Sequence, residues 1–189
     1  SLFSGVYDGI PHGGYYTQEQ VKELVQYAAE RYVTIIPEIE LPGHALAAIA
    51  CYPELSCGLE DHYETATKWG VFKQVYCTKE STFKFLEDVF DEVFELFPSE
   101  LIHIGGDECP KTAWKKCPKC QAKIKELGLK EKGSKAEHYL QNYVMGRVEK
   151  YLNDKGRQII GWDEILEGSA SKTATIMEWR DQQHAVNAV

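Results

Sequence analysis

The sequence holds no apolar run approaching the roughly 20 residues that cross a bilayer, so no membrane span is expected. It has no long run of Lys or Arg either. Its 21 basic side chains are outnumbered by 29 acidic ones, for a net charge of -8, and such a surface repels a phosphate backbone, which makes nucleic acid a poor partner. Linkers, low-complexity tracts and internal repeats are also missing, so residues 1–189 are taken as one domain. The opening Ser1-Leu2-Phe3-Ser4-Gly5 lacks the basic and apolar blocks of a secretory leader. Any leader would lie upstream, and a periplasmic or extracellular location is the expectation. Among six cysteines, only Cys117-Pro118-Lys119-Cys120 has metal-ligand spacing. A structural zinc site takes four ligands, usually through a second such pair, and none occurs, so no metal is expected; free thiols or one local disulfide take its place.

What is present is ordinary globular composition, 43% hydrophobic and 26% charged, in a chain long enough for one sizeable core. Thr17 with Gln20 has the form of a capping box, and Val21, Leu24, Val25, Ala28, Ala29 and Tyr32 recur behind it at helical spacing. A strand is expected over Val33 to Pro37. After an irregular stretch through Trp69, Phe83, Leu86, Phe90, Val93 and Phe97 mark a second helix, which Pro98 stops before a strand starting at Leu101. Ser134 with Glu137 suggests another capping box, followed by an apolar face at Leu140, Val144, Val148 and Tyr151. Strands are expected at Gln158 to Gly161 and Ala174 to Met177. Strands separated by helix-sized connections predict an α/β chain with a parallel sheet. A closed eight-stranded barrel takes about 250 residues, so the chain is expected to cover part of one.

The expected strand ends share a composition. They carry Glu38 and Glu40, then Gly105-Gly106-Asp107-Glu108, then Trp162, Asp163 and Glu164, then Glu178, Trp179 and Arg180. Each residue alone has a bland explanation: a Trp packs in a core, a lone His is structural, and Asp163 or Glu178 caps a helix. Four strands ending alike point instead to the C-terminal rim, where barrels place their chemistry. Paired glycines also remove side chains that would hold a ligand off the backbone.

His103-Ile104-Gly105-Gly106-Asp107-Glu108, with Pro37-Glu38-Ile39-Glu40-Leu41-Pro42-Gly43-His44, Gly161-Trp162-Asp163-Glu164 and Glu178-Trp179-Arg180, resembles the catalytic domain of glycoside hydrolase family 20, the β-N-acetylhexosaminidases. The motifs stand in family order over nearly the whole chain. The resemblance implies a (β/α)8 TIM barrel, about half of it covered here, roughly strands 3 to 6. It implies removal of terminal N-acetylglucosamine or N-acetylgalactosamine from an oligosaccharide or glycoconjugate, with retention and without a cofactor. The substrate's own acetamido oxygen is then the nucleophile, an exception to the usual pair of carboxylates. By that resemblance Glu108 is the acid and base, protonated until attack, which burial in a cleft would favour. Asp107 orients the acetamido group and stabilises the oxazolinium. His44 supports the acid through a dyad with Glu40, where many relatives carry Asp; His103, two and four residues before Gly105 and Asp107, points with Asp107 if the strand stays regular. Trp162 and Trp179, with Asp163 and Glu164, are expected to bind substrate, the indoles walling the acetamido pocket.

The family's sugar-gripping Arg of the first strand, an Asp of the second, and the Tyr, Asp and Trp of the last strands have no counterparts in the chain. Two rival readings differ in class. A sugar-binding relative without activity would keep the aromatic walls, but intact Asp107 and Glu108 oppose it. Gly105-Gly106-Asp107-Glu108 is also similar to the diguanylate cyclase signature, which sits on a β-hairpin; here Cys109-Pro110 follows, and Pro cannot donate to a central ladder.

Overall fold

Parallel strands cannot be joined by a tight turn, so each must be followed by a crossover, usually helical. The computed structural model describes residues 13–168 and 171–180, apart from the Ser134 side chain. Four strands are present: β1 (Glu38–Leu41), β2 (Leu101–Gly105), β3 (Gln158–Trp162) and β4 (Thr175–Met177). They form one sheet in the order β1-β2-β3-β4 with every pair parallel. Spatial order equal to chain order is the winding of a β/α barrel.

The helices are α1 (Gln18–Ala29), α2 (Leu46–Cys51), α3 (Glu80–Leu96), α4 (Thr112–Lys116), α5 (Pro118–Glu126) and α6 (Ala136–Asp154). The core lies between the sheet and the α3–α6 layer. Phe83, Leu86, Phe90 and Val93 of α3 and Leu140, Val144, Val148 and Leu152 of α6 are buried, as are Ile102, Ile104 and Ile159 of the strands. At about 1.5–3 kcal/mol for each large apolar side chain fully buried, this layer fixes where the strand ends lie. Among the described residues, no helix is long and apolar enough to cross a membrane.

Several local expectations shift. β1 starts at Glu38 and not at Val33: the ladder to β2 opens at Pro37, whose carbonyl accepts from the His103 amide at 2.9 Å. Val33 and Ile36 are exposed, and among the described residues no strand flanks β1 on its far side. Glu38 and Glu40 therefore stand inside a strand and, two residues apart, share a face. The Thr17 capping box forms, with both reciprocal bonds to Gln20. No residue of α1 is fully buried, however, and Tyr32 is fully exposed beyond the helix end. α6 begins at Ala136 with Lys135 at the cap position, and Glu137 is buried on its face, accepting from Gln121 Nε2 at 3.1 Å; the expected box with Ser134 rests on a side chain outside those described. The apolar stripe of α6 ends on Leu152, while Tyr151 turns outward to donate to Asp91 at 2.7 Å.

The cysteines are free thiols, as one of the expected alternatives has it, but four of them meet in a way that spacing does not show. Cys57 and Cys77, distant in sequence, meet Cys117 and Cys120, all four Sγ atoms lying within 4.8 Å of one another. Spacing rules find ligands on one turn of chain; these come from three separate loops and helix ends.

Candidate active site

Gly105 ends β2 at φ 67° and Gly106 follows at φ 103°, conformations open to glycine. Space demands glycine as well. A Cβ on Gly105 would lie 1.8 Å from Glu40 Oε1, and one on Gly106 would lie 2.4 Å from Ile165 Cγ2. The turn redirects the chain before Asp107, so the regular strand needed to align His103 with Asp107 stops short. Gln141 of α6 braces the turn by donating through Nε2 to the Gly106 carbonyl at 2.7 Å. Lys111 closes the same brace, its Nζ bonding Gln141 Oε1 and the Cys109 carbonyl.

Asp107, Glu108 and His44 converge beyond this turn. His44 Nε2 is 3.3 Å from Asp107 Oδ2 and 3.5 Å from Glu108 Oε2. Among the described residues three non-glycines have positive φ, and two of them are His44 (47°) and Glu108 (45°). Backbone strain of this kind persists where surrounding structure enforces it and gathers at functional sites. The other oxygen of Asp107, Oδ1, is buried without a hydrogen-bond partner. Glu108 is 38% exposed, more open than the cleft burial expected of it, so its carboxyl is accessible. The three side chains also place one ligand-type atom each within 4.8 Å of the others, a spacing that the His–carboxylate contacts already account for. Cys109 beside the acid is no nucleophile, since burial pushes its thiol up to about 11.

Glu40 does not form the expected dyad with His44. Its Oε1 accepts the Gly106 amide at 3.0 Å, and burial, reinforced by the nearby negative charge of Asp107, raises its carboxyl to about 9. It is therefore protonated at neutral pH, a neutral neighbour to Asp107. His103 belongs to a separate group: its Nδ1 is 3.0 Å from Glu38 Oε1, and its ring lies 4.8 Å from that of Trp162. Trp162 Nε1 also donates to Glu38 Oε1 at 3.0 Å. The Gly105 amide aims at the same Nδ1 from 3.1 Å. One contact requires a ring proton and the other a lone pair, so one tautomer cannot satisfy both. Burial lowers the His103 imidazole below its ordinary value, with Glu38 and Asp107 opposing.

At β3 and β4, Trp179 is 52% exposed and donates through Nε1 to Glu164 Oε2 at 3.0 Å. Asp163 has another part. Fully buried, it accepts the Trp179 amide at 3.3 Å and pairs with the Arg180 guanidinium, so it anchors the segment that presents Trp179 and does not face a ligand. Arg180 also reaches Glu167 at 2.9 Å. A cavity of about 390 Å³ runs along this rim, bordered by Glu108, Lys111, His138, Gln141, Glu164 and Arg180.

Sequence reasoning missed Glu38 as the partner of His103 and Trp162, and Gln141 and Lys111 as the brace. The period of two from Glu40 was a signal for Glu38. Gln141 stood as a polar residue beside the apolar stripe of α6. β2 is parallel to both neighbours and Gly105–Glu108 leads toward α4, so the hairpin needed for the cyclase reading is absent here.

Comparison with known proteins shows the family and the fold. The model of glycosyl hydrolase family 20, catalytic domain, matches residues 5–189. A beta-hexosaminidase of Porphyromonas gingivalis is 50% identical over 182 residues, covering 96% of this chain and 23% of that protein. The crystal structure of Flavobacterium johnsoniae chitobiase superposes with a TM-score of 0.83 at 37% identity, over 92% of this chain and 27% of the other. A Vibrio harveyi exo β-N-acetylglucosaminidase in complex with N-acetylglucosamine gives 0.79 at 34% identity, over 94% and 27%. The chain thus spans about a quarter of the length of these relatives, and its four strands are a segment of their TIM barrel. The chain belongs to glycosyl hydrolase family 20, within that family's catalytic domain.

Proposed function

We propose that the protein is an exo-acting β-N-acetylhexosaminidase that removes terminal N-acetylglucosamine or N-acetylgalactosamine with retention, through an oxazolinium formed by the substrate's acetamido group. The observation that carries this reading is the pair of unlike neighbours at the turn: Asp107 has a buried oxygen without a partner, and Glu108 is open. The acetamido N–H would donate to Asp107, which turns the carbonyl oxygen toward the anomeric carbon and balances the positive charge that develops. Glu108 would give its proton to the glycosidic oxygen as the C–O bond breaks. It would then take a proton from the water that opens the oxazolinium, which returns the anomeric centre to its original configuration. His44, bridging both carboxylates, would hold them at fixed separation. Protonated Glu40 spares Asp107 a second nearby negative charge. Trp179 and Trp162 would supply flat apolar faces to the acetamido methyl and sugar ring. The beta-hexosaminidase relatives and the N-acetylglucosamine bound to the Vibrio harveyi enzyme support this substrate class.

The test is leaving-group dependence in the full-length enzyme. Glu108→Gln should lower kcat about 10²–10⁴-fold on a chitooligosaccharide and much less on an activated aryl glycoside, whose departing oxygen needs little protonation. Equal losses on both would remove Glu108 from the acid role.

A further inference from the structure

Four cysteine sulfurs can meet in a fold as two disulfides, as thiols in a core, or around a metal, and each arrangement has its own distances. A disulfide brings one sulfur pair to about 2.05 Å and leaves the pair isolated. A tetrahedral zinc–thiolate site with Zn–S of about 2.3 Å sets every sulfur about 3.8 Å from the other three. Here Cys57 Sγ is 3.8 Å from Cys120 Sγ, Cys77 Sγ is 3.7 Å from Cys120 Sγ and 3.9 Å from Cys117 Sγ. All six separations fall within 4.8 Å, and all four thiols are free of disulfides.

We propose that Cys57, Cys77, Cys117 and Cys120 form a structural metal site that takes a thiophilic divalent cation, zinc. The ligand set is complete and closed: Cys77, Cys117 and Cys120 are at most 2% exposed and Cys57 is half-buried, which leaves no open position for a substrate or water. Cys117 lies at the N-cap of α5 and Cys120 in its first turn, so one helix end presents two of the four sulfurs. The Thr78 hydroxyl donates to Cys120 Sγ at 3.5 Å, an outer contact of the kind that orients a metal ligand. On binding, the cation would displace the thiol protons to solvent. Four thiolates about a divalent cation carry two net negative charges, and Lys116 precedes Cys117 and Lys119 precedes Cys120 in the chain.

The site's work would be to tie the long loop between α2 and α3 to α4 and α5, the segment that follows Asp107 and Glu108. Directed bonds across that seam include Trp114 Nε1 donating to the Tyr76 carbonyl at 2.9 Å and the Thr78 hydroxyl donating to Cys120. Metal binding stands on the four sulfur positions alone and is independent of the hydrolytic reading.

Elemental analysis of the purified protein, prepared without chelator, should find about one zinc per chain. Cys117→Ser or Cys77→Ser should lower that content, while Cys51→Ser, at an exposed cysteine outside the cluster, should leave it unchanged. Replacing zinc with Co(II) in the unaltered chain should give the thiolate-to-cobalt charge-transfer absorption and visible bands of a tetrahedral sulfur site, a readout that survives if the variants fail to fold. Thiol titration in denaturant with chelator should count all six cysteines. No bound divalent metal together with no such cobalt spectrum would overturn the proposal. So would a count of two thiols, which would show that the four had paired as disulfides.

Discussion

Two clusters of ionisable side chains sit a few residues apart along the chain and are built to opposite rules. His44, Asp107 and Glu108 are partly exposed, two of them on strained backbone, with one buried carboxylate oxygen unpartnered. Cys57, Cys77, Cys117 and Cys120 are closed off, each sulfur within reach of the others, and Cys117 has ordinary extended backbone at φ -80°. The difference teaches what each cluster is for. Strain and an unmet acceptor are tolerated where an incoming ligand completes the bonding. A buried set that satisfies itself, or is satisfied by one ion, serves cohesion.

The comparison can be broken most severely at the turn. Gly105→Ala puts a methyl group 1.8 Å from Glu40 Oε1 and strains a φ of 67°. It should destabilise the chain by on the order of 3 kcal/mol, read in denaturant unfolding, and abolish activity. Glu40→Ala introduced with it should return part of that loss, because the clash is with one side chain. If the two changes simply add, the clash is not the cause.

Glu40 sharpens the comparison by pH. Its carboxyl in the folded protein holds a proton up to about 9, against an ordinary value of 4.5. Between those values the unfolded state binds fewer protons than the folded one, so stability falls as pH rises through the window. Glu40→Gln keeps the shape without the ionisation. Its thermal midpoint relative to the parent should be lowest near pH 4.5 and rise steadily toward pH 9; a gap that does not change with pH would mean that Glu40 is ionised in the fold. The smallest effect is expected at the rim. Trp179→Ala removes an exposed aromatic face and should raise KM by roughly two- to tenfold with little change in kcat, in keeping with about 0.5–1.5 kcal/mol for an aromatic contact.

The parts legible in the sequence were those written contiguously. The His103–Glu108 segment named the strand, the turn and both carboxylates together, because a strand end, two glycines and two acids are local. The α3 stripe was readable for the same reason. The sequence puts Glu40 at the site but not its neighbour, since whether a strand residue turns toward His44 or the Gly106 amide depends on register with β2. From sequence Asp163 is expected at the ligand, because its burial against Arg180 depends on how β4 returns. The cysteine tetrad was invisible to spacing, for it is assembled by folding from Cys57, Cys77 and one short pair. The start of β1 shifted because Val33 to Ile36 has strand composition but no ladder partner among the described residues.

The central claim is that Asp107 acts as an anion on the substrate's acetamido group. The direct measurement is calorimetric binding of a thiazoline mimic of the oxazolinium to the full-length enzyme and to its Asp107→Asn variant. The account predicts binding weaker by at least about tenfold, or 1.4 kcal/mol, in the variant, with the fold intact by circular dichroism. Equal affinity for parent and variant would contradict it.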